Sequence, residues 1–129
     1  MAYPRSTEDY LRADVAHFVH PITDVGQTTG IVYAEGRGIM LRDTEGKDYI
    51  DGISGAMCVN VGHGRADLAD AARDQMLKLS YTPTFRGNTH TAVVECAERL
   101  AQIAPQGIEH FFFCSGGSEA VETCLKLAR

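Results

Sequence analysis

The chain has 129 residues, of which 44% are hydrophobic and 22% charged: the length of one ordinary domain and the balance of a soluble globular protein. Net charge is −5 and the twelve basic residues are scattered, which argues against a basic footprint for nucleic acid or an anionic membrane surface. No signal-peptide core and no run of transmembrane length is present, so the expected compartment is the cytosol.

Residues 6 to 19 read as a surface helix. Ser6 or Thr7 can cap it, Glu8 and Asp9 suit its first turn, and Pro21 closes it. Residues 31 to 51 hold three short β-prone runs, IVYAE, GIMLRD and KDYID, separated by Glu35-Gly36 and Thr44-Glu45-Gly46. That is the pattern of a small antiparallel meander, with Gly46 free to take positive φ. From Ala66 the period lengthens. Leu68, Ala69, Ala72, Met76 and Leu79 recur at helical spacing, and so do Val93, Val94, Ala97, Leu100 and Ala101 over residues 89 to 103. Pro105-Gln106-Gly107 breaks the second of these helices. The aromatic run Ile108 to Cys114 predicts a buried strand, and residues 118 to 129 predict a final helix. The four cysteines, Cys58, Cys96, Cys114 and Cys124, have no CxxC or CxxH spacing and sit among apolar neighbours, where a thiol is expected to act as a small hydrophobe. His17 and His20 have no identifiable third metal ligand, and no metal is expected.

A strand, a glycine turn and a helix N-terminus make a ready anion site. First-turn amides point outward unpaired, the helix dipole adds partial positive charge, and glycine lets an anion approach the backbone. Ser115-Gly116-Gly117-Ser118 has this form, and a phosphate without a metal would suit it. A P-loop is excluded because no lysine stands at the required place, and Gly62-His63-Gly64-Arg65-Ala66-Asp67 puts Asp67 where a dinucleotide fingerprint needs a small residue. From local pattern alone, a plain tight strand-to-helix turn remains an equal reading. One strand flanked by helices is also the start of a doubly wound sheet and not the whole of one.

The wider pattern narrows this. Residues 113 to 129, FCSGGSEAVETCLKLAR, closely resemble the phosphate loop and helix of class III (ω-type) aminotransferases, which use pyridoxal 5′-phosphate. His17-Phe18-Val19-His20-Pro21 resembles that family's HxxHP segment. Asp43 to Gly52 resembles its D-x-x-G-x-x-Y-(I/L)-D meander, Val59 to Gly64 its GH turn, and Tyr81 to His90 the loop lining its substrate pocket. The resemblance covers nearly the whole chain in order. It implies an α/β protein of fold type I, with residues 1–60 as an N-terminal segment carrying the meander and residues 61–129 as the beginning of the large cofactor-binding domain. It also implies a homodimer with its active site at the dimer interface, and a small-molecule amino donor and oxo acceptor as substrates.

Carried over by position, Gly117 and Ser118 would bind the cofactor phosphate, with Gly116 offering a neighbouring amide. Glu119 is expected to point away from the anion and to stabilise the helix dipole. In the substrate pocket, Met57 stands where many relatives carry an aromatic residue, often Trp, and this chain has no tryptophan. Met57 can be a soft pocket wall or plain core packing. Phe85 and Arg86 fall where many relatives place two aromatics. Arg86 can pair with a substrate carboxylate or be a solvated loop residue. His63 reads as a turn or packing residue and not a base. The lysine that forms the Schiff base and the carboxylate that pairs with the pyridine nitrogen are expected beyond Arg129, because Lys47, Lys78 and Lys126 do not match the family's position. The chain is thus expected to be an N-terminal portion of the enzyme, inactive alone. An aminomutase or decarboxylase of the same fold is an alternative. A non-catalytic phosphate-binding or assembly module is the alternative of another class.

Overall fold

A computed structural model describes residues 3–129. They form two compact units, divided between Gln75 and Met76.

The first unit opens with helix α1, Thr7–His17. Ser6 caps it, its hydroxyl oxygen accepting the Asp9 amide at 3.1 Å, and Glu8 and Asp9 lie against the positive end of the dipole. The chain turns extended at Phe18, before Pro21 is reached. The meander then follows as expected: β1 (Tyr33–Arg37), β2 (Met40–Asp43) and β3 (Asp48–Ile50), antiparallel in the order β1-β2-β3. Its register pairs Gly36 with Leu41 and Leu41 with Tyr49, and a bulge lies between Tyr33 and Glu35.

Asp43 organises the second turn. Its carboxylate accepts the amides of Glu45 and Lys47 at 2.9 Å each and the Tyr49 hydroxyl at 2.8 Å. It is the one buried polar residue among the described residues, 5% exposed. Burial pushes its carboxyl up, but the Lys47 amide, the Tyr49 hydroxyl and the Glu45 amide outweigh this and hold it below the ordinary carboxylate value. The same bond, with burial and the Asp43 charge, pushes the Tyr49 phenol up to about 12. From the central strand β2, Arg42 grips Asp48 of β3 with two forked bonds, 2.7 and 2.9 Å.

Helix α2, Ala66–Lys78, spans the division between the units. In the second unit α3 covers Thr91–Ile103, capped by the His90 ring, whose Nδ1 accepts the Val93 amide at 3.3 Å. Ile108 closes the Pro105 turn, its amide donating to the Pro105 carbonyl at 3.1 Å, and the last helix, α4, covers Gly117–Leu127.

Two expectations fail here. Ile108 to Cys114 is not a strand. Glu109 to Ser115 make no backbone–backbone hydrogen bond among the described residues, and Phe112 and Phe113 are 71% and 48% exposed. Aromatic enrichment signals a segment fit for burial, but a strand also needs a neighbour to complete its ladder, and none of the described strands lies beside it. The cysteines are likewise exposed, all four as free thiols. The cause is general: among the described residues no apolar side chain is buried. Leu68 and Met76 on the apolar stripe of α2 and Leu125 on that of α4 stand in solvent. The stripes are at the expected spacing, but nothing described covers them.

Candidate functional site

In the second unit the turn before α4 has the makings of an anion cradle. Gly116 is the N-cap residue, fully extended at φ −169°, with no side-chain cap. Its carbonyl faces the helix, accepting the Ala120 amide at 3.1 Å, and the Cys114 thiol donates to the same oxygen at 3.6 Å. That fixes the peptide with its carbonyl inward. The amides of Gly117, Ser118 and Glu119 then open the helix with no acceptor among the described residues. A Cβ placed on Gly117 meets nothing within 4 Å, so the backbone here is open to close approach. Three free amides, a hydroxyl on Ser118 and the dipole of an eleven-residue helix are a donor set suited to a tetrahedral dianion. Gly116, Gly117 and Ser118 stand side by side at this helix opening.

Glu119 departs from expectation. One of its carboxylate oxygens lies 3.0 Å from where a Gly116 Cβ would stand, so the side chain folds back beside the turn instead of pointing away. The same dipole that attracts an anion attracts this carboxylate.

Beside the turn in sequence, the second unit contains a hollow of about 550 Å³, lined by Tyr81, Phe85, His90, Val94, Phe111 and Phe113 among others. Phe85 thus sits in an aromatic wall. Arg86 occupies the centre of a tight turn over Phe85–Gly87 in left-handed backbone, φ 57° and ψ 31°. For a residue with a Cβ this conformation costs about 1–2 kcal/mol. Among the described residues Arg86 makes no ion pair.

In the first unit Met57 stands 80% exposed at the end of a four-residue turn, Ser54–Met57, whose φ angles are 50°, 56°, 58° and 69°. The core-packing reading of Met57 therefore does not hold among the described residues. The whole turn is left-handed although only Gly55 favours that region. No sequence rule points to this, because Ser, Ala and Met ordinarily avoid it.

His63 does pack. Its backbone exchanges two hydrogen bonds with Gly38, 3.0 and 2.8 Å, which lays the Gly62–Gly64 turn on the edge of the meander. Its ring lies over Gly36, and Nε2 meets the Asp51 carboxylate at 2.8 Å. The Gly55 amide, the His63 ring and the Ile53 amide together hold the Asp51 carboxyl below its ordinary value, against the opposing effect of burial. Sequence reasoning missed Asp51; a strand-ending Asp followed by a glycine-flanked His was its only signal. The other histidine pair behaves differently: His20 bonds the Asp14 carboxylate at 2.9 Å and stacks edge-on against Phe18. No group of metal-ligating side chains gathers among the described residues.

The chain is similar to known proteins over nearly all its length. The family model described as aminotransferase class-III matches residues 22–129. The putrescine–pyruvate aminotransferase of Pseudomonas aeruginosa is 38% identical over 116 residues, which are 88% of this chain and 25% of that protein. A thermostable (S)-enantioselective ω-transaminase from Thermomicrobium roseum superposes with a TM-score of 0.90 at 41% identity, over 98% of this chain and 29% of its own. An ω-transaminase from Pseudomonas jessenii, solved in complex with PMP, gives 0.83 at 29% identity, over 90% of this chain and 26% of its own. The chain thus spans about a quarter of the length of the relatives it matches. Its helices and small antiparallel sheet are the α/β architecture of the corresponding part of these fold type I transaminases. On the match over residues 22–129, the chain belongs to the class III aminotransferase family.

Proposed function

We propose that this chain supplies the phosphate cradle and part of the substrate pocket of an enzyme that moves an amino group from an amine or ω-amino acid to a 2-oxo acid or aldehyde, using pyridoxal 5′-phosphate. The observation that carries the reading is the opening of α4: three unpaired amides and an unobstructed Gly117, in a chain of this family. When bound, pyridoxal phosphate supplies an electrophilic carbonyl and an electron sink. Gly116, Gly117 and Ser118 would hold its phosphate by backbone amides and one hydroxyl, so the dianion is fixed without a metal and without a lysine.

Met57 and Phe85 would form parts of the donor pocket. Arg86 would orient the acceptor by taking its carboxylate in a two-pronged bond. Two features support that role: strained backbone is retained most often where function requires it, and this guanidinium has no partner to satisfy within the described residues. Lys126 would not serve as the cofactor lysine, since it does not stand at the family's position for it. It is tied to Glu122 at 2.8 Å on the outer face of α4, and Lys47 lies over the Tyr49 ring at 4.9 Å. The Schiff-base lysine and the carboxylate facing the pyridine nitrogen would come from downstream sequence, and the working form would be a homodimer.

The test is a coupled assay on the enzyme that contains this segment. Diamines, ω-amino acids and aryl amines are offered as donors with pyruvate or an aldehyde as acceptor. The expected result is amine-dependent, cofactor-dependent formation of the aminated acceptor. Replacing Arg86 by Leu should raise KM for pyruvate roughly ten-fold and leave that for an aldehyde acceptor unchanged. No amino transfer with any donor–acceptor pair would overturn the reading.

A further inference from the structure

The left-handed turn Ser54–Met57 cannot hold itself. Each residue with a Cβ is unfavourable in this region, and three such residues follow one another around Gly55. The turn's own amide bonds close it: Met57 to the Ile53 carbonyl at 2.8 Å, and Cys58 and Val59 to that of Ser54 at 3.0 and 2.9 Å. An ordinary right-handed turn would offer equivalent bonds without the strain. Nor does burial select it, since Met57 and Ile53 are 80% and 71% exposed. Something outside the turn must choose its hand.

Asp51 is placed to do so. It leaves the end of β3 with its own amide bonded to the Ile39 carbonyl at 2.8 Å, so its backbone belongs to the sheet. Its side chain is 6% exposed, and a carboxylate oxygen lies 3.9 Å from where a Gly55 Cβ would stand, close enough for the Gly55 and Ile53 amides to favour its charged form. In a right-handed turn the Gly55 amide would face elsewhere. The carboxylate is in turn kept in place by His63 Nε2 at 2.8 Å. His63 has no freedom to leave: both its backbone groups are bonded to Gly38, and its ring is seated on Gly36, where an added Cβ would lie 2.7 Å from Cγ. A continuous set of contacts therefore runs from the meander through His63 and Asp51 to the turn that ends in Met57.

We infer that Asp51, clamped by His63, is a positioning residue that holds the Ser54–Met57 turn left-handed and thereby sets which amine donors the Met57 wall admits. The inference rests on the proposed role of Met57 in the donor pocket. A carboxylate suits this place because both its oxygens accept, toward the imidazole N–H and toward the turn; a carboxamide keeps one accepting oxygen and retains part of the effect.

Asp51→Ala, Asp51→Asn, Met57→Ala and the double variant Asp51→Ala/Met57→Ala are compared in the cofactor-loaded, full-length enzyme. Kinetics with one small aliphatic amine and one bulky aryl amine are paired with amide hydrogen exchange at Met57, Cys58 and Val59. Asp51→Ala is expected to speed exchange at these three amides at least about ten-fold and to change the bulky-to-small ratio of kcat/KM by roughly ten-fold, mostly through KM. Asp51→Asn should fall between Asp51→Ala and the parent. In the Met57→Ala background, removing Asp51 should change that ratio by less than about two-fold, because the wall it positions is gone. A uniform loss for both amines, equal in both backgrounds, would make Asp51 merely structural and overturn the inference. Unchanged exchange at the turn would also overturn it. If the parent enzyme transfers no amino group at all while Asp51→Ala still speeds exchange, the clamp stands and its link to donor choice falls with the proposed function.

Discussion

Gly36→Ala probes the seat of His63 on the sheet, and two opposing effects decide its sign. Gly36 lies outside the left-handed region, so the main chain accepts alanine and gains about 0.5–1 kcal/mol over glycine within a strand. The new Cβ, however, falls 2.7 Å from His63 Cγ and 2.9 Å from both its Cβ and Nδ1. These are not the loose end of a flexible side chain. The ring is held at Nε2 by Asp51 and the backbone by two bonds to Gly38, so the collision cannot be relieved by a rotamer change. Overpacking of this kind costs about 1–3 kcal/mol, which leaves a net loss of roughly 0–2.5 kcal/mol, centred a little above 1 kcal/mol. Amide exchange at Gly38 and His63 should therefore quicken, by about ten-fold at the centre of that range. The assay is hydrogen–deuterium exchange on the full-length protein, resolved at those amides. In a His63→Gly background the collision is absent, and the same alanine should slow exchange slightly. Unchanged or slower exchange with His63 in place would refute the close packing of this turn on the meander.

Other outcomes follow from the same geometry. Glu119→Gln removes the carboxylate beside Gly116 and should tighten binding of inorganic phosphate roughly 2- to 5-fold at low salt, with the gain shrinking as salt is added; calorimetry showing no change at low salt would count against the electrostatic account. The Asp43 carboxyl is depressed in the folded state, so its contribution is present above the ordinary carboxylate range and is lost as pH falls through the lowered value; Asp43→Asn should flatten the acid limb of meander stability followed by amide exchange. The Tyr49 phenol is raised, so its bond contributes fully below its ordinary value of 10.0 and is lost as pH rises through about 12; an ultraviolet titration placing it at the ordinary value would contradict the Asp43 contact. Produced by itself, the 129-residue polypeptide should bind hydrophobic dyes and aggregate, since each large side chain such as Met76, Phe112 or Leu125 left wet forfeits about 1.5–3 kcal/mol; one sharp cooperative melt of a soluble monomer would argue otherwise.

Local patterns made most elements legible, because their signals are local. Ser6 with Glu8 and Asp9 marks the start of α1, Gly46 marks a hairpin, and the apolar period of α2, α3 and α4 needs no knowledge of the rest of the chain. The turn that opens α4 was legible for the same reason: serine and glycine ahead of a helical stripe mark it within four residues. What failed depended on neighbours. Phe111 to Cys114 has the composition of a strand but no paired neighbour among the described residues, and the cysteines have apolar sequence neighbours without apolar cover. The left-handed turn at Ser54–Met57 and the strained Arg86 run against residue preference, so local reasoning points away from them. The Asp51–His63 contact joins residues 12 apart through the edge of a sheet, and only the folded meander reveals that the two meet.

The central claim is that Gly116, Gly117 and Ser118 hold a phosphate. Gly117 allows a clean perturbation, because a Cβ there meets no described atom within 4 Å while it would project into the space an anion needs. The most direct measurement compares the affinities of pyridoxal 5′-phosphate and of pyridoxal, its form without the phosphate, for the full-length enzyme and its Gly117→Val variant. The expected result is a loss of at least about ten-fold for pyridoxal phosphate, with pyridoxal binding unchanged. Equal affinities of parent and variant for the phosphorylated cofactor would contradict it.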